Sequence, residues 1–261
     1  MRYLTSADIH QHRQEVTDQC RTFFQPMYCK FDAAIDALLL IQYALRLPEE
    51  PVTTPLQRVN VAAQKWLYSS IFTFHGSLAL AEQGFYTQSI SLNRNLMECL
   101  VTVRYLADKP KHLDRLPMVS RKVQQQLTMR DRFEYVIPGY YDPHYKLSSE
   151  FAHPSHGSHI LKIQPNGAGG YDIDLGISFN KDLMSFCLNE FAMLLVGFLK
   201  AYPTKFKKVL HFRSTSEMDR IEAATGGLLE ILYAHIALKG GENDWHKTTR
   251  PLWDWRECDQ L

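Results

Sequence analysis

The sequence has little net charge and no long apolar run, and each shortage excludes a class of protein. Its 261 residues include 29 lysines and arginines against 28 aspartates and glutamates, a formal net charge of +1. A chain so balanced exerts no overall field on nucleic acid or membrane, so any anion site must be local. The longest uncharged apolar run, residues 191–199, is about half a membrane span. We therefore expect no spanning helix and no membrane partner.

Cysteine pairs and common nucleotide-binding motifs are also missing. The five cysteines are scattered, and none lies in a C-x-x-C pair. Because the N-terminus also lacks an apolar signal core, this pattern predicts reduced thiols in a cytoplasmic protein. The sequence contains no G-x-x-x-x-G-K, G-x-G-x-x-G or G-x-S-x-G motif. We therefore expect no cofactor.

What the chain does contain is helical patterning along most of its length. Apolar periodicity and proline breaks predict helices over residues 7–24, 30–47, 56–82, 85–108, 111–135, 143–153, 180–201 and 215–239. The pair Gly226-Gly227 is expected to interrupt the last of them. These elements predict an all-α fold, a helical bundle.

One segment has the periodicity of strands instead. Apolar and polar side chains alternate in residues 160–163 and 171–175, with the glycine-rich "PNGAGG" between them. This pattern predicts an inserted β-hairpin over about residues 159–175. We predict a single domain over residues 1–261. Three of the four tryptophans lie in its tail, residues 241–261, where packing over the bundle is favoured above docking of a partner.

The helix predicted over residues 85–108 carries an ion pair in an unusual place. Arg94 and Glu98 are four residues apart and face the same way. They lie within an apolar stripe formed by Ile90, Met97, Val101 and Tyr105. Because a buried guanidinium is unfavourable unless paired, the pair either is structural or serves a polar site inside the bundle. Buried ion pairs stabilise weakly, which favours the polar site.

A second helix face combines several chemical groups. Tyr145, Ser149 and His153 recur every fourth residue, and Lys146 lies beside His153. A phenol, a hydroxyl, an imidazole and an ammonium on one face suit binding an anion and moving protons near neutral pH. A solvated helix face, with a histidine near its C-terminal end, is the alternative that the pattern leaves open.

The histidines of "LSSEFAHPSHGSH" raise the question of zinc. His153, His156 and His159 could act as ligands, with Glu150 or His144 nearby. Zinc sites on helices favour a spacing of four residues, whereas these histidines are three apart across a proline. We therefore expect no metal, with a loop-bound zinc ion as the weaker alternative.

These two helices together resemble the HEPN superfamily of helical bundles, and more closely an uncharacterised relative of it. The matching motifs are "RNLME", an R-x-x-x-E helix that begins ten residues after Gly84, and "SEFAHPS", which contains Ser149, His153 and Ser155. The resemblance covers residues 85–158. It implies a bundle that often dimerises and, in many members, a composite metal-independent ribonuclease site in toxin–antitoxin or phage-defence systems.

The chain departs from the family's catalytic motif, in which an arginine precedes a histidine by four to six intervening residues. Here Lys146 occupies that position before His153, and lysine lacks the bidentate fork of arginine. A relative that binds RNA without cleaving it is therefore an alternative that the resemblance leaves open.

Two hypotheses follow. In the first, a HEPN-like protein binds or cleaves RNA or a nucleotide: Arg94, held by Glu98, binds the scissile phosphate, and His153 acts as general acid or base. Supporting contacts would come from Lys146, Ser149, Tyr145 and Ser155. Partners would be a second copy of the chain and an antitoxin or other defence-system protein. In the second, the protein is a non-catalytic interaction or regulatory module, and Arg94, Glu98 and His153 form a structural polar core.

Two basic stretches bear on the choice between these hypotheses. Residues 200–213 and 104–132 are rich in lysine and arginine and could extend an RNA footprint. Such stretches are more often solvated helix faces.

Overall fold

The computed structural model is all-α in the part of the chain that it describes, as predicted. The described residues are 6–46, 51–117, 126–141, 145, 163–165, 171–173 and 179–238. The helices are α1 (Ser6–Ala44), α2 (Pro55–Glu82), α3 (Tyr86–Asp108), a 3₁₀ helix (Pro110–Arg115), α4 (Met129–Val136), α5 (Lys181–Lys205) and α6 (Thr215–Leu238). The predicted helix over residues 143–153 lies outside the described residues except for Tyr145.

Two short strands pair antiparallel. They are β1 (Ile163–Pro165) and β2 (Tyr171–Ile173), with Ile163 opposite Ile173. The residues that connect and flank them lie outside the described part of the chain. The inserted hairpin over residues 159–175 therefore stays a prediction.

Local sequence signals fix where two of the helices begin. The hydroxyl of Thr54 accepts a hydrogen bond from the backbone amide of Gln57, and the side-chain oxygen of Gln57 accepts one from the backbone amide of Thr54. Thr128 and Asp131 make the same reciprocal arrangement before α4. Because each capping box satisfies amides that the first turn leaves unbonded, these two helices start where their sequences specify.

The predicted break at Pro26 is a kink instead. The backbone of Phe24 leaves helical geometry (φ −116°, ψ 15°), and α1 then continues through Pro26 to Ala44. A proline removes one hydrogen bond and clashes with the carbonyl four residues earlier, which bends a helix that packing holds on both sides.

Two further predictions about helix continuity are wrong. A single helix over residues 111–135 does not form, because the 3₁₀ helix ends before Leu116, which is extended, and a new helix starts after Thr128. The expected interruption at Gly226-Gly227 is absent from α6. The residues that flank these glycines, Ala224 and Leu228, are buried, and their packing outweighs a cost of about 1 kcal/mol for each glycine.

Helices α3 and α5 lie at the centre of the bundle. The apolar stripe of Ile90, Met97, Val101 and Tyr105 on α3 is buried, and the helix packs against α2, α4 and α5. In α5 every residue from 187 to 199 is buried. Helix α5 is long and apolar enough to cross a membrane, and most of its apolar window is buried inside the bundle. Core helices share this composition, so it does not by itself indicate a membrane span.

Candidate functional site on helix α3

Three polar residues form a stripe along one face of α3. Arg94, Glu98 and Thr102 are spaced four residues apart, so they stand one above another on the helix. Two side chains from later in the chain, Tyr145 and Arg132, contact this stripe. The stripe therefore brings together groups that are far apart in the sequence.

Arg94, Glu98 and Tyr145 hold one another in place. The Nε atom of Arg94 lies 3.0 Å from Oε1 of Glu98, and its Nη2 donates a hydrogen bond of 2.8 Å to the hydroxyl of Tyr145. That hydroxyl in turn donates to Oε1 of Glu98. The guanidinium carbon lies 4.8 Å from the centre of the Tyr145 ring, within the range of a cation–π contact. We call these three residues the arginine clasp.

The arginine clasp is neither buried nor fully open. The side chains of Arg94 and Glu98 are 18% and 27% exposed, whereas Tyr145 is buried. Burial and the hydrogen bond to Glu98 raise the pKa of Tyr145 to about 12. The phenol therefore keeps its proton at neutral pH and serves as a donor rather than as a base.

The charge of Arg94 is secure in this setting. Burial lowers the pKa of its guanidinium, but the contacts with Tyr145 and Glu98 outweigh burial and raise the pKa above its usual value. A fixed, permanently charged fork at a partly open surface can bind a phosphate or a carboxylate.

Arg132, on α4, contacts the stripe one helical turn beyond Glu98, at Thr102. It is 7% exposed. Its Nη1 donates to the hydroxyl of Thr102, which donates in turn to the carbonyl of Glu98, and its Nε donates to the carbonyl of Thr128 at 3.2 Å. Burial lowers the pKa of Arg132, and the charge of Glu98 acts in the opposite direction.

A cleft of about 340 Å³ opens beside the arginine clasp. Glu98, Thr102 and Arg132 form its polar wall. The rest of the lining consists of Trp66, Asn95, Cys99, Leu116, Pro117 and Met129. Because Glu98 belongs to both the clasp and the cleft, a ligand in the cleft would contact the clasp.

The predicted site residues divide into two groups. Arg94, Glu98 and Tyr145 come together. Lys146, Ser149, His153 and Ser155 lie outside the described residues, so their approach to Arg94 stays a prediction.

Sequence reasoning missed two members of the site. Thr102 could have been found, because it continues the spacing of four residues from Arg94 and Glu98. Arg132 could not, because it is one of several cations in a basic segment and nothing in the sequence marks it as buried.

A separate polar cluster lies within the core and was also missed. Ser77 donates to Oδ1 of Asn93 at 2.6 Å, and Nδ2 of Asn93 lies 3.5 Å from Oε2 of Glu190. All three residues are buried. Burial raises the pKa of Glu190 to about 7, and the hydrogen bond from Asn93 acts in the opposite direction.

Metal ligands do not cluster in the part of the chain that the structure covers. Within those ranges no group of three histidine, cysteine, aspartate or glutamate side chains is placed to hold an ion. The cluster of His153, His156 and His159 lies outside them.

Comparison with known proteins adds no relative. No family model, no curated protein and no solved structure matches the chain. The similarity to the HEPN superfamily therefore rests on the two motifs alone and stays a prediction.

Proposed function

We propose that the protein binds RNA or a nucleotide, and that Arg94 is the residue that contacts the phosphate. The observation that carries this proposal is the arginine clasp. Glu98 and Tyr145 fix the guanidinium of Arg94 while leaving its side chain partly exposed. A side chain fixed before binding loses less conformational entropy when a ligand arrives, which favours affinity.

Local charge supports an anionic ligand. Arg94 and Arg132 carry two positive charges on this face, Glu98 carries one negative charge, and the phenol of Tyr145 stays neutral. The charge of Asp131 also acts on Arg132 from the start of α4, so the two guanidiniums themselves, rather than a local net charge, would attract an anion to a chain that is close to neutral overall. Such local fields attract anions without an overall basic charge.

Equilibrium binding tests this proposal. A labelled single-stranded RNA is titrated with the wild type, Arg94→Ala and Arg58→Ala, and fluorescence anisotropy gives each Kd. Arg94→Ala should raise the Kd about tenfold or more, since a hydrogen bond to a charged group contributes about 1.5–3 kcal/mol. Arg58 is the matched control, an exposed arginine paired with Asp114. Absence of RNA binding by the wild type, or equal loss in both variants, contradicts the proposal.

The catalytic form of the proposal assigns proton transfer to His153, because the phenol of Tyr145 keeps its proton. In the helix predicted over residues 143–153, His153 follows Tyr145 by eight residues, about 12 Å of helix rise. Arg94, bound at Tyr145, and His153 would then act on different atoms of one RNA backbone rather than touch. A second copy of the chain, as the HEPN resemblance implies, would place another His153 within reach.

Cleavage assays test the catalytic form separately. A metal-independent endoribonuclease should cleave RNA in the presence of a chelator, and Arg94→Ala and His153→Ala should each slow cleavage by about a hundredfold or more. Equal cleavage by all three proteins, or none by the wild type, rules out catalysis but leaves binding as a separate question. A toxin or phage-defence role, with an antitoxin or similar partner, depends on this activity.

A non-catalytic interaction or regulatory module is the second candidate. The observation that favours it is the mutual bonding of Arg94, Glu98 and Tyr145, which satisfies these groups without a ligand. If the clasp is purely structural, Arg94→Ala lowers the melting temperature and the wild type binds no RNA. Circular dichroism melting beside the anisotropy titration separates the two candidates.

We also propose that residues 159–175 form one hairpin inserted into a single helical domain. The antiparallel pairing of Ile163 with Ile173 supports this arrangement. Amide NMR contacts from residues 160–162 to residues 174–176 would test it, and their absence would restrict pairing to the two three-residue strands.

A further inference from the structure

Arg132 is a buried cation whose protein partners are neutral. Its side chain is 7% exposed, and its two hydrogen bonds go to the hydroxyl of Thr102 and the carbonyl of Thr128. Among the described residues, no ion pair includes Arg132. A guanidinium in this position is unfavourable unless a counter-charge is supplied.

The two carboxylates whose charges reach Arg132 are occupied elsewhere. Glu98 is bound by Arg94 and Tyr145 within the clasp. Asp131 accepts hydrogen bonds from the backbone amide and the hydroxyl of Thr128 and so caps α4. The charges of both act on Arg132, but neither carboxylate forms an ion pair with it in the described part of the chain. The position therefore has room for one more negative charge.

The cleft shows where that charge would come from and what would carry it. Arg132 lines the cleft of about 340 Å³, a volume at the lower end of the range for small-molecule sites. Trp66 offers an indole ring, and Leu116 and Met129 extend the apolar wall. Asn95, at the exposed rim, has an amide that can both donate and accept. The complementary ligand has an anion at one end and a flat apolar body with a polar edge.

We propose that this cleft binds a nucleoside monophosphate unit, either as a free nucleotide or as one nucleotide of an RNA chain. Its phosphate contacts Arg132, its base packs against Trp66, and the edge of the base reaches Asn95. Stacking on an aromatic ring and pairing with an arginine are the usual means of holding a single nucleotide. The choice of a nucleotide rests on the proposed function, whereas the site itself rests on Arg132 and the cleft.

Calorimetric titration with the four nucleoside monophosphates tests the inference. The wild type should bind at least one of them about tenfold more tightly than it binds ribose 5-phosphate or the matching nucleoside. Arg132→Gln should weaken binding about tenfold, since it removes a charge-assisted contact. Arg130→Gln, an exposed arginine on the same helix, is the matched control and should leave the affinity unchanged.

Two variants keep the test valid if Arg132→Gln fails to fold. Asn95→Ala changes an exposed side chain and should weaken binding several-fold. Trp66→Phe keeps an aromatic ring in the cleft but removes the indole. The quenching of tryptophan fluorescence by nucleotide should therefore be weaker in this variant than in the wild type. Unchanged affinity in Asn95→Ala together with unchanged quenching in Trp66→Phe overturns the site. If none of the four monophosphates binds, or if ribose 5-phosphate binds equally well, the proposal of a nucleotide ligand is wrong.

The results of the nucleotide titrations can be distinguished from the results of the RNA-binding experiment. Mononucleotide binding that depends on Arg132, without RNA binding, supports the cleft and overturns the RNA proposal. RNA binding that depends on Arg94, without mononucleotide binding, supports the RNA proposal and overturns the nucleotide site in the cleft. Competition between a short RNA and the mononucleotide identifies RNA as the natural source of the unit, and lack of competition identifies a free nucleotide; either result supports the site.

Discussion

Glu190 has a carboxyl group inside the bundle, and burial raises the pKa of that group. It is 3% exposed, and its hydrogen-bond partner among the described residues is Asn93, at 3.5 Å. Burial disfavours the charged form and raises its pKa from 4.5 to about 7. The side chain therefore enters the folded core as a neutral acid and becomes a buried charge only near neutral pH.

This shift predicts that stability depends on pH. The folded protein keeps the proton of Glu190 up to about pH 7, whereas the unfolded chain loses it near pH 4.5. Folding then takes up a proton between these values, and the stabilisation is lost as pH rises through this window. The ionisation of Glu190 should lower the free energy of unfolding by about 3 kcal/mol across this pH range.

Urea unfolding of the wild type and Glu190→Gln at a series of pH values measures this dependence. Glutamine keeps the shape and an acceptor for Asn93 but cannot ionise. The difference between the two proteins should widen as pH rises from 4.5 to about 7 and stay constant above. Parallel pH profiles would show that Glu190 ionises as freely in the folded protein as in the unfolded chain.

Tyr145 gives a second prediction at this scale. Tyr145→Phe keeps the ring beneath the guanidinium of Arg94 but removes the hydroxyl that bridges Arg94 and Glu98. The free energy of unfolding should fall by about 1–2 kcal/mol, because the hydroxyl's hydrogen bonds to two charged groups are lost while Arg94 and Glu98 stay paired with each other. Tyr43→Phe, at a side chain that is 76% exposed, is the control and should change stability little. Equal effects of both variants would remove the structural role assigned to the hydroxyl.

The sequence showed which side chains share one face of a helix, but not which side chains from different helices contact each other. The spacing of Arg94 and Glu98 predicted their contact, and Tyr145, from the second predicted helix face, contacts both of them. The partners Asn93 and Glu190 are 97 residues apart, and no local pattern links them. Tertiary packing alone determines that Glu190 is buried against Asn93.

Two glycines, one between helices and one within a helix, have opposite roles, which gives a paired prediction. Gly84 joins α2 to α3 with a φ of 81°, a conformation that side chains disfavour, so Gly84→Ala should destabilise by about 1 kcal/mol or more. Gly226 lies within α6, and nothing lies within 4 Å of where a Cβ would stand. Gly226→Ala should therefore stabilise by about 0.5–1 kcal/mol.

Thermal unfolding of the two single variants checks the pair. Melting temperatures should move in opposite directions, down for Gly84→Ala and up for Gly226→Ala. A decrease for both would contradict the assignment of Gly226 to the interior of a regular helix.

Element boundaries were predictable where local chemistry decides them. The starts of α2 and α3 agree with the predicted positions to within one residue, because a capping box and a glycine turn define them. The continuations through Pro26 and Gly226-Gly227 were not predictable, because both depend on burial against other helices. The segment over residues 111–135 has helical composition but is divided by an extended Leu116 and a new capping box.

At the scale of the whole molecule, the arginine clasp lies at a partly open edge of a central helix. α3 packs against α2, α4 and α5, so most of its surface is enclosed. Arg94 and Glu98 lie where that enclosure is incomplete, in a molecule whose net charge is +1. Any anion attracted to the protein would therefore respond to this site rather than to an overall field.

The salt dependence of RNA binding tests the central claim, that Arg94 contacts a phosphate. The logarithm of the association constant falls linearly with the logarithm of salt concentration, with a slope of about −0.7 for each phosphate contact to a single strand. Arg94→Ala should therefore bind more weakly and with a slope shallower by about 0.7 than the wild type, while Arg58→Ala keeps the wild-type slope. Identical slopes for the wild type and Arg94→Ala would contradict the claim.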